Sequence, residues 1–272
     1  MDLIQKITET VGFIKSKTDF EPEYGVILGT GLGGLIKEVE IITSLSYDEI
    51  PHFPISTVES HHGKLVFGML SGKKVVAMLG RFHYYEGYSM EEVTFPVRVM
   101  KFLGISRLFV SNACGSVNPS IRTCDLMVLN DHINLLPENP LRGRHYPELG
   151  PRFPDLYEPY DREMIRKATA IARENKIPIH VGTYASVQGP NLETAAEYKM
   201  IQVMGADVVG MSTIPEVLVA VQMGLKCFAI SVVTDEGWHE ILEPVTVEDV
   251  IAAAQKTEPK MTRLIKALIS SL

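Results

Sequence analysis

Nine residues, GRFHYYEGY (80–88), bring together an arginine, a histidine and three tyrosines. Glycines at 80 and 87 with aromatics between them suit a strand end or a loop, and loops on a rigid scaffold are where binding chemistry concentrates. Arg81 and His83 stand two residues apart, so an extended backbone turns both to one side. Arginine presents a planar fork of donors that matches phosphate oxygens, and imidazole supplies one more. The chemistry implied is the holding of an oxyanion, with Tyr85 beside it.

Three other segments offer the same service. GTGLGG (29–34) follows an apolar run, and Thr30 adds a hydroxyl among the exposed N–H groups of a glycine turn, which can hold an anion. SNACGS (111–116) gives small residues where the strand RLFVSNACG runs into a glycine loop, and there backbone around Ala113 can approach a ligand. GMSTIPEV (210–217) sets Met211, Ser212 and Thr213 before Pro215, a helix start with free N–H groups and the positive end of the dipole. His61 and His62 enter the hairpin that follows them, but no H-x-x-x-H spacing or nearby Cys/Asp cluster makes them a metal site, and no metal is expected. Singly, each piece is explained by a surface arginine, a capping serine or a satisfied histidine. Together they describe one oxyanion site, provided the fold assembles them.

GTGLGG also fits the dinucleotide fingerprint G-x-G-x-x-G. That motif needs a following helix, a second strand and an acid about 20 residues on. Here LIKEVEIITSLSYDEIPHFP gives a short helix at best before Pro51, and nothing later supplies a second Rossmann half. A nicotinamide reading is set aside.

The elements that must position these groups alternate along the chain. GVILG reads as a strand, KLVFGML and KVVAMLG as a hairpin around Ser71-Gly72, and the segment from Ser89 to Gly104 as a helix opened by a Ser89/Glu92 capping box. Further strands are RLFVSNACG, DLMVLNDHINL, HVGTYASVQG, ADVVGMS and KCFAISVVTD; further helices start near Asp161, Glu193, Ile214 and Val247. A Pro/Arg-rich loop runs from Pro137 to Pro159. The pattern predicts one α/β domain over 1–272, with a mixed central β-sheet flanked by helices. Ligands in such sheets collect at strand C-terminal ends, where the polar clusters fall.

Composition narrows the partners. The 272 residues are 46% hydrophobic and 22% charged, as in an ordinary globular domain. A net charge of −7 argues against nucleic acid or an anionic membrane, so an anionic substrate would need a local positive pocket. The amino terminus lacks a leader pattern, no apolar run reaches the roughly 18 residues of a membrane span, and Cys114, Cys124 and Cys227 form no Cys-x-x-Cys pair. A cytoplasmic protein with free thiols is expected.

In order along residues 25–255, VILGTGLGGL, STVESHHGKLVFG, GRFHYYEGY, NACGSVNP, LNDHINL, NPLRG, RFPDLYEPYD, GPNLETAAE and GADVVGMSTIPEV resemble the successive signatures of the trimeric purine nucleoside phosphorylases. The resemblance implies the phosphorylase/hydrolase-like fold with a distorted central sheet, a homotrimer, and phosphorolysis of purine nucleosides with inorganic phosphate as co-substrate and no cofactor. It assigns phosphate to Thr30, His61, Arg81, His83, Ser212 and the backbone of Ala113. Ribose falls to Tyr85 and Met211, the purine base to Glu193, and a neighbouring subunit's sugar site to Phe153.

Three positions depart from that family's inosine/guanosine pattern. Asp235 stands where an asparagine is usual, Val247 where a histidine meets the 5′-hydroxyl, and Leu192 where an aromatic covers the base. An ionised Asp235 only accepts hydrogen bonds, which suits a 6-amino group or an N7 proton. TDEGWHEILEPVTVEDV is similar to the methylthioadenosine phosphorylases, whereas Glu193 pairs naturally with an N1–H donor. Inosine and guanosine are the first expectation, with Glu193, Asp235 and His83 as catalytic residues. A 5′-methylthioadenosine- or adenosine-type phosphorylase is the alternative, and a non-catalytic anion-binding module the remote one.

Overall fold

The computed structural model describes residues 1–30, 32–55, 63–238 and 242–272. Its centre is β1 (Tyr24–Leu28), five residues buried without exception, as expected of a strand covered on both faces. β1 lies parallel to β4 (Lys73–Leu79) on one side and to β5 (Arg107–Ser116) on the other. β4 forms the predicted hairpin with β3 (Lys64–Leu70), and β2 (Glu40–Ser46) adds an antiparallel edge. Beyond β5 the sheet curls. β5 pairs with both β8 (Val208–Gly210) and β9 (Lys226–Glu236), and β8 continues through β7 (His180–Ser186) and β6 (Leu126–Asn134) back to β9. The mixed sheet therefore closes on itself over five strands and stays open over the rest.

Helices cover both faces. α1 (Leu3–Lys17), α2 (Met90–Leu103) and α5 (Ile214–Gln222) bury Ile7, Ile14, Val99 and Val217 in one core. α3 (Arg162–Glu174) and α6 (Val247–Ser270) bury Met164, Ala168, Met261 and Leu264 in the other. α4 (Ala195–Val203) closes a small third cluster over the curled end. The predicted capping box of α2 is formed, with the Ser89 hydroxyl accepting from the Glu92 N–H at 3.3 Å, and Gly104 ends the helix at φ +116°.

Two expectations change. The segment after the first glycine turn is a 3-10 helix (Gly33–Glu38) followed by a strand, β2, whose residues are mostly exposed and so lack the alternation that marks a half-buried strand. The strand predicted over RLFVSNACG is β5, but no glycine loop opens at its end, because it stays paired with β9 through Ser116. The residues at that end are small because chains crowd there: a Cβ on Gly29 would lie 2.7 Å from the Ser111 carbonyl oxygen. Among the described residues no helix is long and apolar enough to cross a membrane, and all three cysteines are free.

Candidate active site

At the C-terminal ends of β1, β5, β8 and β9 lies a cavity of about 520 Å³. Thr30, Arg81, His83, Tyr85, Ala113, Leu192, Glu193, Met211, Ser212, Asp235 and Val247 all line it, drawn from segments scattered over most of the chain. His61 lies outside the described residues. Phe153 is 87% exposed on the Pro137–Pro159 loop and takes no part in this wall. A cavity of about 580 Å³ beneath that same loop holds Arg98, Arg142 and Arg152 but none of the candidate phosphate- or nucleoside-binding residues.

One end of the cavity is an array of donors. Arg81, 1% exposed, gives Nη1 to the Ser111 carbonyl at 3.0 Å and to the Ser212 hydroxyl at 2.9 Å, while its Nε meets Glu216 Oε1 at 3.2 Å. Ser212 is presented by an unusual turn. The Ile214 N–H reaches back to the Ser212 carbonyl at 2.8 Å, with Thr213 between them at φ 71°, ψ −53°. That is the positive-φ γ-turn, strained for a β-branched residue and tolerated where surrounding structure holds it. Asn112 provides the hold, donating to Thr213 Oγ1 at 2.8 Å while accepting from Ser231 at 2.7 Å. The turn leads directly into α5, so the positive end of that helix faces the same spot.

The charge balance corrects one expectation. Arg81 and His83 are the basic groups on the described wall, and each faces a carboxylate, Glu216 for Arg81 and Glu86 for His83. Glu86 accepts from the His83 N–H at 2.8 Å and from its Nδ1 at 2.9 Å. Burial holds the His83 pKa below its ordinary value, with the Glu86 hydrogen bond opposing. Neutral His83 then carries its proton on Nδ1, because a carboxylate only accepts, and Nε2 is left as an acceptor. The described wall offers oriented donors rather than net positive charge. Sequence reasoning missed Glu86 and Glu216, although Glu86 falls inside the opening motif three residues from His83.

Tyr85 stacks on His83 with centroids 4.7 Å apart at 14°, and burial pushes its phenol up to about 12. The far end carries the carboxyls. Glu193 sits just before Thr194, the N-cap of α4. Asp235 ends β9, where a β-bulge opposite Cys114 and Gly115 inserts Thr234 as an extra residue. The bulge explains how two consecutive residues, Thr234 and Asp235, both reach the cavity. Burial raises the pKa of both carboxyls; hydrogen bonds from Thr234 and Tyr198 oppose this at Asp235. Val245, Val247 and Val250 add an apolar margin, with Leu192 and Val247 partly open to solvent.

A phosphorylase superfamily model matches residues 23–270. Purine nucleoside phosphorylase 1 of Bacillus subtilis is 45% identical over 265 residues, covering 97% of this chain and 98% of that one. The mouse purine nucleoside phosphorylase is 42% identical over 270 residues, covering 97% and 93%. Two solved structures, Schistosoma mansoni purine nucleoside phosphorylase with adenosine and a schistosomal purine nucleoside phosphorylase with hypoxanthine, each superpose with a TM-score of 0.93 at 41% identity, over 99% of this chain and 98% of theirs.

Proposed function

The chain belongs to the phosphorylase superfamily, and on that footing we propose that it cleaves purine nucleosides by phosphorolysis, releasing the free base and a (deoxy)ribose 1-phosphate. One observation carries the reading: donors suited to an oxyanion and carboxyls suited to a purine line opposite parts of a single cavity at the strand ends. Inosine and guanosine remain the first-choice substrates.

Arg81, Ser212, Thr30 and the backbone at Ala113 hold phosphate by directed hydrogen bonds. A phosphate oxygen attacks C1′ as the C1′–N9 bond breaks, so the electron pair of that bond goes to the purine. Fixing nucleophile and sugar in one geometry supplies much of the acceleration, since effective molarities for such steps reach about 10⁵–10⁸ M. The phosphate charge also stabilises the cationic sugar that develops. His83 donates to phosphate only when it carries a second proton, so a phosphate oxygen that brings its own proton is the better partner for its Nε2. Tyr85 and Met211 face the ribose. The leaving base takes a proton at N7, with Glu193 and Asp235 as the groups that stabilise it. Phosphate is a co-substrate, and no cofactor is called for.

Asp235 and the apolar margin around Val247 favour a second reading, an adenosine- or 5′-methylthioadenosine-type phosphorylase. Among the structural neighbours, one is a complex with adenosine and another a complex with hypoxanthine, a 6-amino and a 6-oxo ligand. The assembly is a homotrimer in which Phe153, exposed on its loop, completes a neighbour's sugar site, and the free thiols fit a cytoplasmic setting. Base release from inosine, guanosine, adenosine and methylthioadenosine, with and without phosphate, tests the reading. Phosphate-dependent cleavage led by the 6-oxo pair is expected. Cleavage led by the 6-amino pair would transfer the assignment to the second reading, and no cleavage of any would end both.

A further inference from the structure

Behind the base end of the cavity, and not on its wall, lies Tyr198 of α4, 3% exposed. Its Oη stands 3.4 Å from Asp235 Oδ2, and the phenol and the Glu193 carboxyl act on each other's acidity. Two glycines clear the space. A Cβ on Gly237 would lie 2.4 Å from the Tyr198 ring, and one on Gly115 would lie 2.6 Å from Asp235 Oδ2. The other Asp235 oxygen faces Thr234 Oγ1 at 2.8 Å, but that hydroxyl also faces the Cys114 carbonyl at 3.1 Å and has one proton to give. The phenol is therefore a second donor to Asp235, on the oxygen that Thr234 does not face.

A phenol has one proton and faces two carboxyls. The arrangement that satisfies all three groups is a directed chain: one carboxyl protonated and donating to the phenol oxygen, the phenol donating to the other carboxylate. The chain has two directions. With Glu193 protonated, Asp235 is an acceptor for a 6-amino group or N7–H. With Asp235 protonated, it is a donor for a 6-oxo oxygen or N7. Going from one state to the other shifts two protons by one hop each, Glu193 to the phenol oxygen and the phenol to Asp235, a net transfer of one proton between the carboxyls.

We propose that Tyr198 is a positioning residue that links the two base-facing carboxyls into one hydrogen-bonded unit and so sets the balance between 6-amino and 6-oxo purines. This rests on the phosphorolysis reading above. Burial of both carboxyls favours keeping one of them neutral. Among the described residues, the other titratable groups around the unit do not replace the phenol. Glu236 is paired with Arg122 at 3.1 Å, Glu197 caps Thr194, and the Cys114 thiol is pushed up by burial.

The test is the adenosine-to-inosine ratio of kcat/KM at saturating phosphate, from pH 5.5 to 8.5, for the unaltered enzyme and Tyr198→Phe. Removing the phenol takes a donor from Asp235 and raises its protonated fraction. The ratio should fall toward inosine by roughly tenfold, with the pH at which it changes moving up by about one unit, the shift equivalent to that factor. KM for phosphate should stay put, and Tyr198→Phe should change nothing further in an Asp235→Asn background. An unchanged ratio and pH profile would overturn the proposal, since loss of packing alone moves neither. Carbon-13 titration of the Asp235 carboxyl, with and without Glu193→Gln, needs neither turnover nor a folded Tyr198→Phe. A moved midpoint supports the linked unit and an unmoved one overturns it, even if phosphorolysis itself fails.

Discussion

Glu216→Gln isolates the logic of the donor array. Arg81 and Glu216 meet at 3.2 Å with side chains 2% and 4% exposed, so neither charge has much recourse to water. Removing one partner of such a buried pair costs about 3–5 kcal/mol. At roughly 2 °C per kcal/mol for a chain of this size, Tm should fall by about 6–10 °C without phosphate. Bound phosphate places negative charge beside the same guanidinium and restores the missing partner. The variant should therefore gain more from phosphate than the unaltered protein does, following RT ln(1 + [L]/Kd) with a lower Kd. Calorimetric scans at zero and saturating phosphate read both effects. A variant with unaltered Tm and an identical phosphate shift would refute the view that Glu216 balances Arg81 in the empty site.

Glu193→Gln should raise Tm at pH 7. The folded-state pKa of Glu193 is raised by burial, so its contribution to stability is full below the ordinary glutamate pKa and is lost as pH rises; the advantage of the neutral amide should vanish below about pH 4. Gly237→Ala should reduce turnover while leaving phosphate binding intact, because the new methyl group displaces the Tyr198 ring; an unaffected turnover rate would contradict the close packing there. Equilibrium sedimentation should give three chains per particle, and Phe153→Ala should raise KM for nucleoside more than for phosphate; a monomer with full activity would dismiss the shared site.

Much of the fold was legible because its signals are local. Ser89 with Glu92 announces α2, Gly104 ends it, and Ser71-Gly72 marks the hairpin. β2 escaped because an exposed edge strand carries no burial pattern, and the end of β5 was expected to open into a loop because residues chosen for close chain approach look like loop residues. The cavity lining was readable by type, yet what tunes it was not. Glu216 is far from Arg81 in sequence, and its meaning is tertiary. Thr213 is not a residue whose type advertises positive φ. Tyr198 looks like any apolar-face residue of a short helix until the bulge at Thr234 brings Asp235 beneath it.

The central claim is that phosphate, not water, receives the sugar. Phosphorus-31 NMR of the enzyme with inosine and inorganic phosphate tests it directly. A sugar-phosphate resonance should grow in step with free hypoxanthine, one for one, and no base should form when phosphate is left out. Base released with free ribose, or at the same rate without phosphate, would contradict the account.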